Sequence, residues 1–236
     1  MRESGILMHI TSLPAPYGIG TMGKDAYAFV DFLVRAGQRY WQILPLTPTG
    51  YGDSPYQSLG ACAGNHYLID LDRLADEGLL KKEEIQNIPW GSNSARVDFG
   101  AMYAHRMNVL RQAFQRFTPD GAYETFVEQN RSWLEDYALF MSLKDLHQGR
   151  SWHEWSPQYQ VLDTRTRKAA LTELADSITY YQFIQFIFFK QWHELKLYAN
   201  KKGISVIGDI PIYVAMDSAD TWANPWLFKL DEKNCP

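Results

Sequence analysis

Cysteine is scarce. The 236 residues hold two, Cys62 and Cys235, far apart in the chain. That excludes a disulfide framework and any zinc-type cysteine spacing, and it fits reduced thiols in a cytoplasmic protein. There is no block of Lys or Arg, and the formal net charge is -4, so no nucleic-acid partner is expected. No apolar run reaches the length of a membrane span, so no membrane partner is expected either. The opening MRESGILMHITSLPAP has one arginine and an early glutamate and runs straight into a strand-like segment, unlike a signal peptide. The six histidines (His9, His66, His105, His147, His153, His193) show no metal-ligand spacing. No GxSxG context surrounds Ser12 or Ser54.

What the chain does have is apolar matter and aromatic rings. With 46% hydrophobic residues it can build a sizeable core, and 12 Phe, 14 Tyr and 8 Trp must divide between that core and any surface that stacks on a ligand. ILMHITSL (6–13) reads as a buried strand. From Lys24 to Ala36 the apolar positions Ala26, Phe29, Val30, Leu33 and Val34 repeat with helical period, and Gly37 stands where a helix stops. YWQILPL (40–46) is a second buried strand. Strand, helix, strand is the opening of a parallel α/β unit. A long stretch follows: a loop with turn chemistry at 47–68, a short helix ended by Gly78, a helix through Tyr103, Met107, Leu110, Phe114 and Phe117, and one through Phe126, Trp133, Tyr137, Phe140 and Leu143. After the Trp-rich RSWHEWSPQYQ, a single long helix is expected from Thr172 to Lys202, apolar on most sides. GISVIGDIPIYV then supplies a third buried strand. Three parallel strands leave two open edges, whereas a closed barrel needs eight. The expectation is the first part of a longer chain.

Three motifs bear on chemistry. Gly18-Ile-Gly20-Thr-Met-Gly23 matches GxGxxG between a strand and a helix. However, Pro14 and Pro16 lengthen the turn, and the second strand ends in Leu44-Pro45-Leu46 with no acid for a ribose, so a loop that simply turns is the better reading. GYGDSPYQS (50–58) follows a strand end, where α/β folds place their sites, and Pro55 extends Ser54 and thrusts Tyr56 outward. Asp209 ends the third strand. A carboxylate buried there needs a substrate hydroxyl, an arginine or a backbone amide as partner. Asp217, Ser218 and Asp220 read as caps of a short helix and Glu83 and Glu84 as a solvated face; His9, within the first strand, could line a site, and a hydrogen-bonded core histidine is the better reading. Retaining glycoside chemistry needs two carboxyl groups about 5–5.5 Å apart, and no such pair is visible.

Taken together, GILMHITSLPAPYGIGTMG, YWQILPLTPTGYGDSPYQS, AGNHYLIDLDRL, SWHEWSPQY and VIGDIPIYVAMDSADTWANPWLF closely resemble the amylomaltases, the bacterial 4-α-glucanotransferases. Gly60, Cys62 and His66 depart from the family pattern in a loop. The resemblance implies an α/β fold, the N-terminal portion of a (β/α)8 TIM barrel of about three strands, with a largely helical insertion between the second and third. Its parts would be 1–50 (first strands and helix), 51–175 (loop and helical insertion) and 176–236 (barrel helix, third strand and active-site loop). It implies an enzyme that transfers α-1,4-glucan segments between maltodextrins through a covalent glucosyl-enzyme, with no cofactor and no metal. Its partners would be maltooligosaccharides and the remainder of its own barrel.

By the same resemblance Tyr56 would stack on the sugar beside the cleaved bond. Asp209 would be an active-site acid that supports the chemistry without performing it, and Ser54 would hydrogen-bond the donor glycan. The nucleophile and the acid/base would lie beyond Pro236, leaving this chain inactive alone. An α-glucan hydrolase, a non-catalytic carbohydrate-binding domain and a nucleotide-dependent oxidoreductase are the alternatives, in that order.

Overall fold

The computed structural model describes residues 2–50, 52–91, 93 and 95–231, so Cys235 and Pro236 lie outside the described residues. The chain divides into two compact units: Met1–Leu46, Asn65–Pro119 and Ile187–Ile210 form the first, and Thr47–Gly64, Asp120–Phe186 and Pro211–Pro236 the second.

The first unit holds the sheet. β1 (Gly5–Leu7), β2 (Tyr40–Gln42) and β3 (Ser205–Ile207) run parallel in the order β1-β2-β3, with Leu7, Gln42 and Ile207 in register. The strands are shorter and less buried than the apolar runs imply. Trp41 in the middle strand is fully covered, while Leu7 is 55% and Ile207 43% exposed. The reason is the strand order. Each outer strand has a neighbour on one side only among the described residues, so its apolar side chains find less cover. α1 (Lys24–Arg35) connects β1 to β2 and buries Ala26, Val30 and Leu33. It ends in a Schellman turn: Gly37 takes φ 68, and the Gln38 amide donates to the Leu33 carbonyl at 2.9 Å. α2 (Leu71–Asp76), α3 (Lys82–Gln86) and α4 (Phe99–Arg116) complete the unit, together with the C-terminal part of α9 (Ala175–Lys201).

Asp70 ties these pieces together. It is buried, caps α2 by accepting from the Arg73 amide at 3.0 Å, and takes the Thr21 hydroxyl at 2.6 Å. Its backbone is gripped at both ends by the buried side-chain amide of Gln191 on α9, at 2.7 Å to the N–H and 3.2 Å to the carbonyl. Arg106 of α4 is fully buried and donates to the carbonyls of Tyr67 and Ile69; burial pushes its guanidinium down to about 10, and the Asp70 charge offsets part of that.

The second unit is helical: α5 (Gly121–Gln129), α6 (Arg131–Leu146), α7 (Pro157–Gln160), α8 (Thr164–Glu173), the start of α9 and α10 (Ala219–Ala223). Two continuous helices expected from periodicity are each broken once. Asn130 separates α5 from α6 because its side chain donates to the Phe126 carbonyl at 2.8 Å and accepts from the Trp133 indole at 3.1 Å, ending one helix and opening the next. Leu174, at φ -101 and ψ 17, steps the chain between α8 and α9. The tryptophans of the 150–160 loop are core. Trp152, Trp155 and Trp222 are buried, and their indole N–H groups donate to the carbonyls of Met216, Arg150 and Tyr159 at 2.8, 3.0 and 2.8 Å. Buried polar tips are satisfied by backbone, as burial requires.

Asp70→Ala should lower stability by about 3 kcal/mol, the sum of a lost cap and an orphaned buried hydroxyl. Urea unfolding followed by circular dichroism measures it. Gly23→Ala should also destabilise, because a methyl there runs into the Asp70 carboxylate.

Candidate functional site

The glycine-rich loop is structural. A side chain at Gly20 would strike the Ile10 carbonyl, and one at Gly23 the Asp70 carboxylate. Gly23 is the N-cap of α1, the position where a dinucleotide's phosphates would sit. The protein's own carboxylate occupies that position. The loop after β1 also lines an open cleft of about 790 Å³ with Trp90, Arg96 and Phe99.

Asp209 lies in the first unit, two residues past the end of β3. It is exposed and accepts from the following amide, that of Ile210, at 2.8 Å. The expectation of a buried carboxylate is therefore corrected. The strand it follows is an outer one and its tip is open, so no desolvation penalty arises in the described structure. His9 stands in the matching place two residues past β1, in extended conformation at φ -69 and ψ 145. It is half-buried, but it is not a hydrogen-bonded core histidine. Nδ1 is shielded and has no partner, and burial pushes the imidazole down to about 4. The strand register, which the sequence does not print, sets His9 and Asp209 equally far beyond Leu7 and Ile207, each of which pairs with Gln42.

Ser54 and Tyr56 lie in the second unit. Their loop folds as a pinned hairpin. The Gly50 amide donates to the Gln57 carbonyl at 2.8 Å, Thr49 and Ser58 form an antiparallel bridge, and the Gln57 amide closes a turn onto the Ser54 carbonyl at 3.1 Å. The base is held in turn: the Ala219 amide donates to the Leu59 carbonyl at 2.9 Å, and the Ala61 amide to the Asp220 carboxylate at 2.9 Å. The Ser54 hydroxyl accepts from the Tyr56 amide at 3.3 Å, and Tyr56 is 47% exposed. Pro55 thus does what was expected of it, presenting the ring outward on a rigid base.

The remaining acids sort by partner. Ser218 alone caps α10 through its hydroxyl, accepting from the Thr221 amide at 3.3 Å. Asp217 instead pairs with the buried Lys144 at 2.6 Å and accepts from the Trp152 amide at 3.3 Å, which locks the Trp-rich loop. No sequence signal announces that pair, because its members are distant in the chain. Glu83 and Glu84 lie on a solvated face, and Glu84 has a partner there. Paired hydrogen bonds from Arg116 at 2.7 and 2.6 Å hold it at about 2, which excludes it as a proton donor near neutrality. Of the departing loop residues, Gly60 packs against the Tyr137 ring, Cys62 is exposed, and His66 is buried and driven down to about 3. No group of three metal-ligating side chains exists among the described residues. No described helix is long and apolar enough to cross a membrane.

Comparison with known proteins follows the same residues. The family model described as 4-alpha-glucanotransferase, glycoside hydrolase family 77, matches residues 8–235. The 4-alpha-glucanotransferase of Streptococcus pneumoniae is 49% identical over 98% of this chain and 46% of its own length. That of Clostridium butyricum is 47% identical over 96% and 47%, and the chloroplastic/amyloplastic enzyme of Solanum tuberosum 37% over 100% and 42%. Among solved structures, the amylomaltase from Streptococcus agalactiae in complex with acarbose superposes with a TM-score of 0.96 at 45% identity, over all of this chain and 48% of that one. The Corynebacterium glutamicum amylomaltase, at 18% identity and a TM-score of 0.72, shares the fold. The chain spans about half the length of the relatives it matches.

Between pH 6.5 and 5 the thermal midpoint should fall. Unfolded imidazoles of His9 and His66 take up protons below their ordinary 6.5, while the folded ones stay neutral until about 4 and 3. The unfolded state then binds more protons, so stability is full above pH 6.5 and is lost as pH falls. His66→Phe should flatten that slope in a pH series of thermal unfolding curves.

Proposed function

The chain belongs to the 4-alpha-glucanotransferase family, and from that premise we propose that it is part of an enzyme moving α-1,4-glucan segments between maltodextrins. The observation that carries the reading is the agreement along the whole chain, 45% identity and a TM-score of 0.96, with the Streptococcus agalactiae amylomaltase solved in complex with acarbose. The chemistry is a retaining double displacement. A carboxylate attacks the anomeric carbon as the leaving 4-oxygen is protonated, and a sugar 4-hydroxyl then displaces the enzyme from the glucosyl ester. The nucleophile and the acid/base come from residues beyond Pro236, in the remainder of the barrel, so the 236-residue chain alone is inactive.

The parts of the line of residues at 1–50, 51–175 and 176–236 are respectively the opening of the barrel, its helical insertion, and the third strand with its loop. Tyr56 supplies a sugar-stacking face, Ser54 a hydroxyl for the donor glycan, and Asp209 a supporting acid. The exposure of Tyr56 and the pinned hairpin beneath it favour that role, since a ring fixed before binding loses little entropy on stacking. The reaction needs no metal or organic cofactor, and its location is the cytoplasm.

With maltotriose, the chain extended to the family's full length should yield glucose plus longer maltodextrins, and the 236-residue chain neither. Glucose and maltose without longer products would mark a hydrolase. Glucan binding with no turnover by the extended chain would mark a binding domain. Transfer by the 236-residue chain alone overturns the placement of the catalytic pair. In the extended chain Tyr56→Ala should weaken maltotriose binding about tenfold, roughly 1.4 kcal/mol, and Tyr56→Phe should leave it nearly unchanged.

A further inference from the structure

We propose that His9 is a glucan-binding residue, its Nε2–H donating to a sugar hydroxyl at the strand rim that also carries Asp209. The inference rests on the glucan reading above and adds a residue to it.

Three observations converge. The first is position. Parallel α/β folds place ligands at the C-terminal ends of their strands. Leu7 and Ile207 occupy the same register row of the sheet, and His9 and Asp209 each stand two residues beyond. Two strand spacings separate β1 from β3, about 10 Å, a gap that one hexose with its hydroxyl hydrogen bonds bridges. Side chains two apart in an extended chain share a face, and the face in question is open, with Leu7 and Ile207 both exposed.

The second is the hydrogen-bond account of the imidazole. Neither ring nitrogen is bonded to a described residue. Nδ1 is shielded without a partner, and the ring is otherwise half-buried, so its open edge is Nε2. A shielded polar atom left unsatisfied costs about 1–3 kcal/mol, which the fold would avoid with an apolar residue of similar size. A histidine that serves no hydrogen bond of the fold and lowers its stability is explained by a ligand. The third is protonation. Burial keeps this imidazole neutral at neutral pH. In its Nε2–H tautomer the neutral ring is a donor suited to an uncharged sugar.

The test uses the 236-residue chain with maltoheptaose, followed by histidine-selective nitrogen-15 NMR, with the His9 signals assigned through His9→Gln. The His9 Nε2 resonance should shift on titration. His9→Leu should keep or raise the thermal midpoint while weakening maltoheptaose about fivefold, the loss of one hydrogen bond. His9→Gln, which retains an amide N–H near the Nε2 position, should stay within about twofold of wild type. Binding reported by tyrosine and backbone signals with the His9 resonances unmoved overturns this inference and leaves the glucan reading standing. A lowered midpoint with unchanged affinity in His9→Leu makes His9 structural and overturns it likewise. No binding at any signal overturns this inference, and the glucan reading is then decided separately by the maltotriose transfer assay on the extended chain.

Discussion

The fold of the first unit depends on one buried clamp. The side-chain amide of Gln191 pairs with both backbone groups of Asp70, as a neighbouring strand would, and the Asp70 side chain caps α2 while holding Thr21. Loop backbone that is buried must find partners, and at Asp70 a glutamine from a long helix provides them. The same helix repeats the device in the second unit, where the buried Gln185 takes the Gly64 amide at 2.7 Å and donates to its carbonyl at 3.0 Å. Both glutamines sit among the rings and aliphatic residues of α9. An amide there is costly unless fully bonded, and each is.

The clamp has consequences around it. With Asp70 fixed against the N-terminus of α1, Gly23 must be glycine and the glycine-rich turn closes on protein rather than on a ligand. The same carboxylate offsets part of the desolvation of the fully buried Arg106, together with the carbonyls of Tyr67 and Ile69 at Nη2 and the Trp90 ring 5.9 Å away, while Nε and Nη1 have no hydrogen-bond partner among the described residues. A buried guanidinium that is not matched by charge and acceptors would be strongly destabilising. The glycine motif, the arginine and the α2 cap are thus one electrostatic arrangement, although they are scattered along the chain.

In the second unit the organising matter is aromatic. Phe140, Trp155 and Trp222 meet with ring centroids 5.3 to 5.9 Å apart, and the Lys144–Asp217 pair closes the loop over them. Rings committed to that core are unavailable for sugars. Tyr56 is different in being 47% exposed. Trp226, at 73% exposure, is likewise outside the core.

The sequence by itself determined what depends on neighbours along the chain. α1 and its glycine stop, the parallel strand-helix-strand opening, the outward Tyr56 and the family's motifs were all legible, because periodicity, turn chemistry and contiguous identity are local properties. The breaks at Asn130 and Leu174 were less legible, since the apolar rhythm continues across them and a single side-chain hydrogen bond or backbone step decides. Only the tertiary structure decided which groups are covered and by what. It placed Asp209 in the open at the tip of an outer strand, left His9 without a hydrogen bond beyond the other outer strand, gave Glu84 to Arg116 and Asp217 to Lys144, and put the tryptophans of the 150–160 loop inside. Burial and pairing are set by residues distant in sequence, and a residue's type states what partner it needs without stating which one it has.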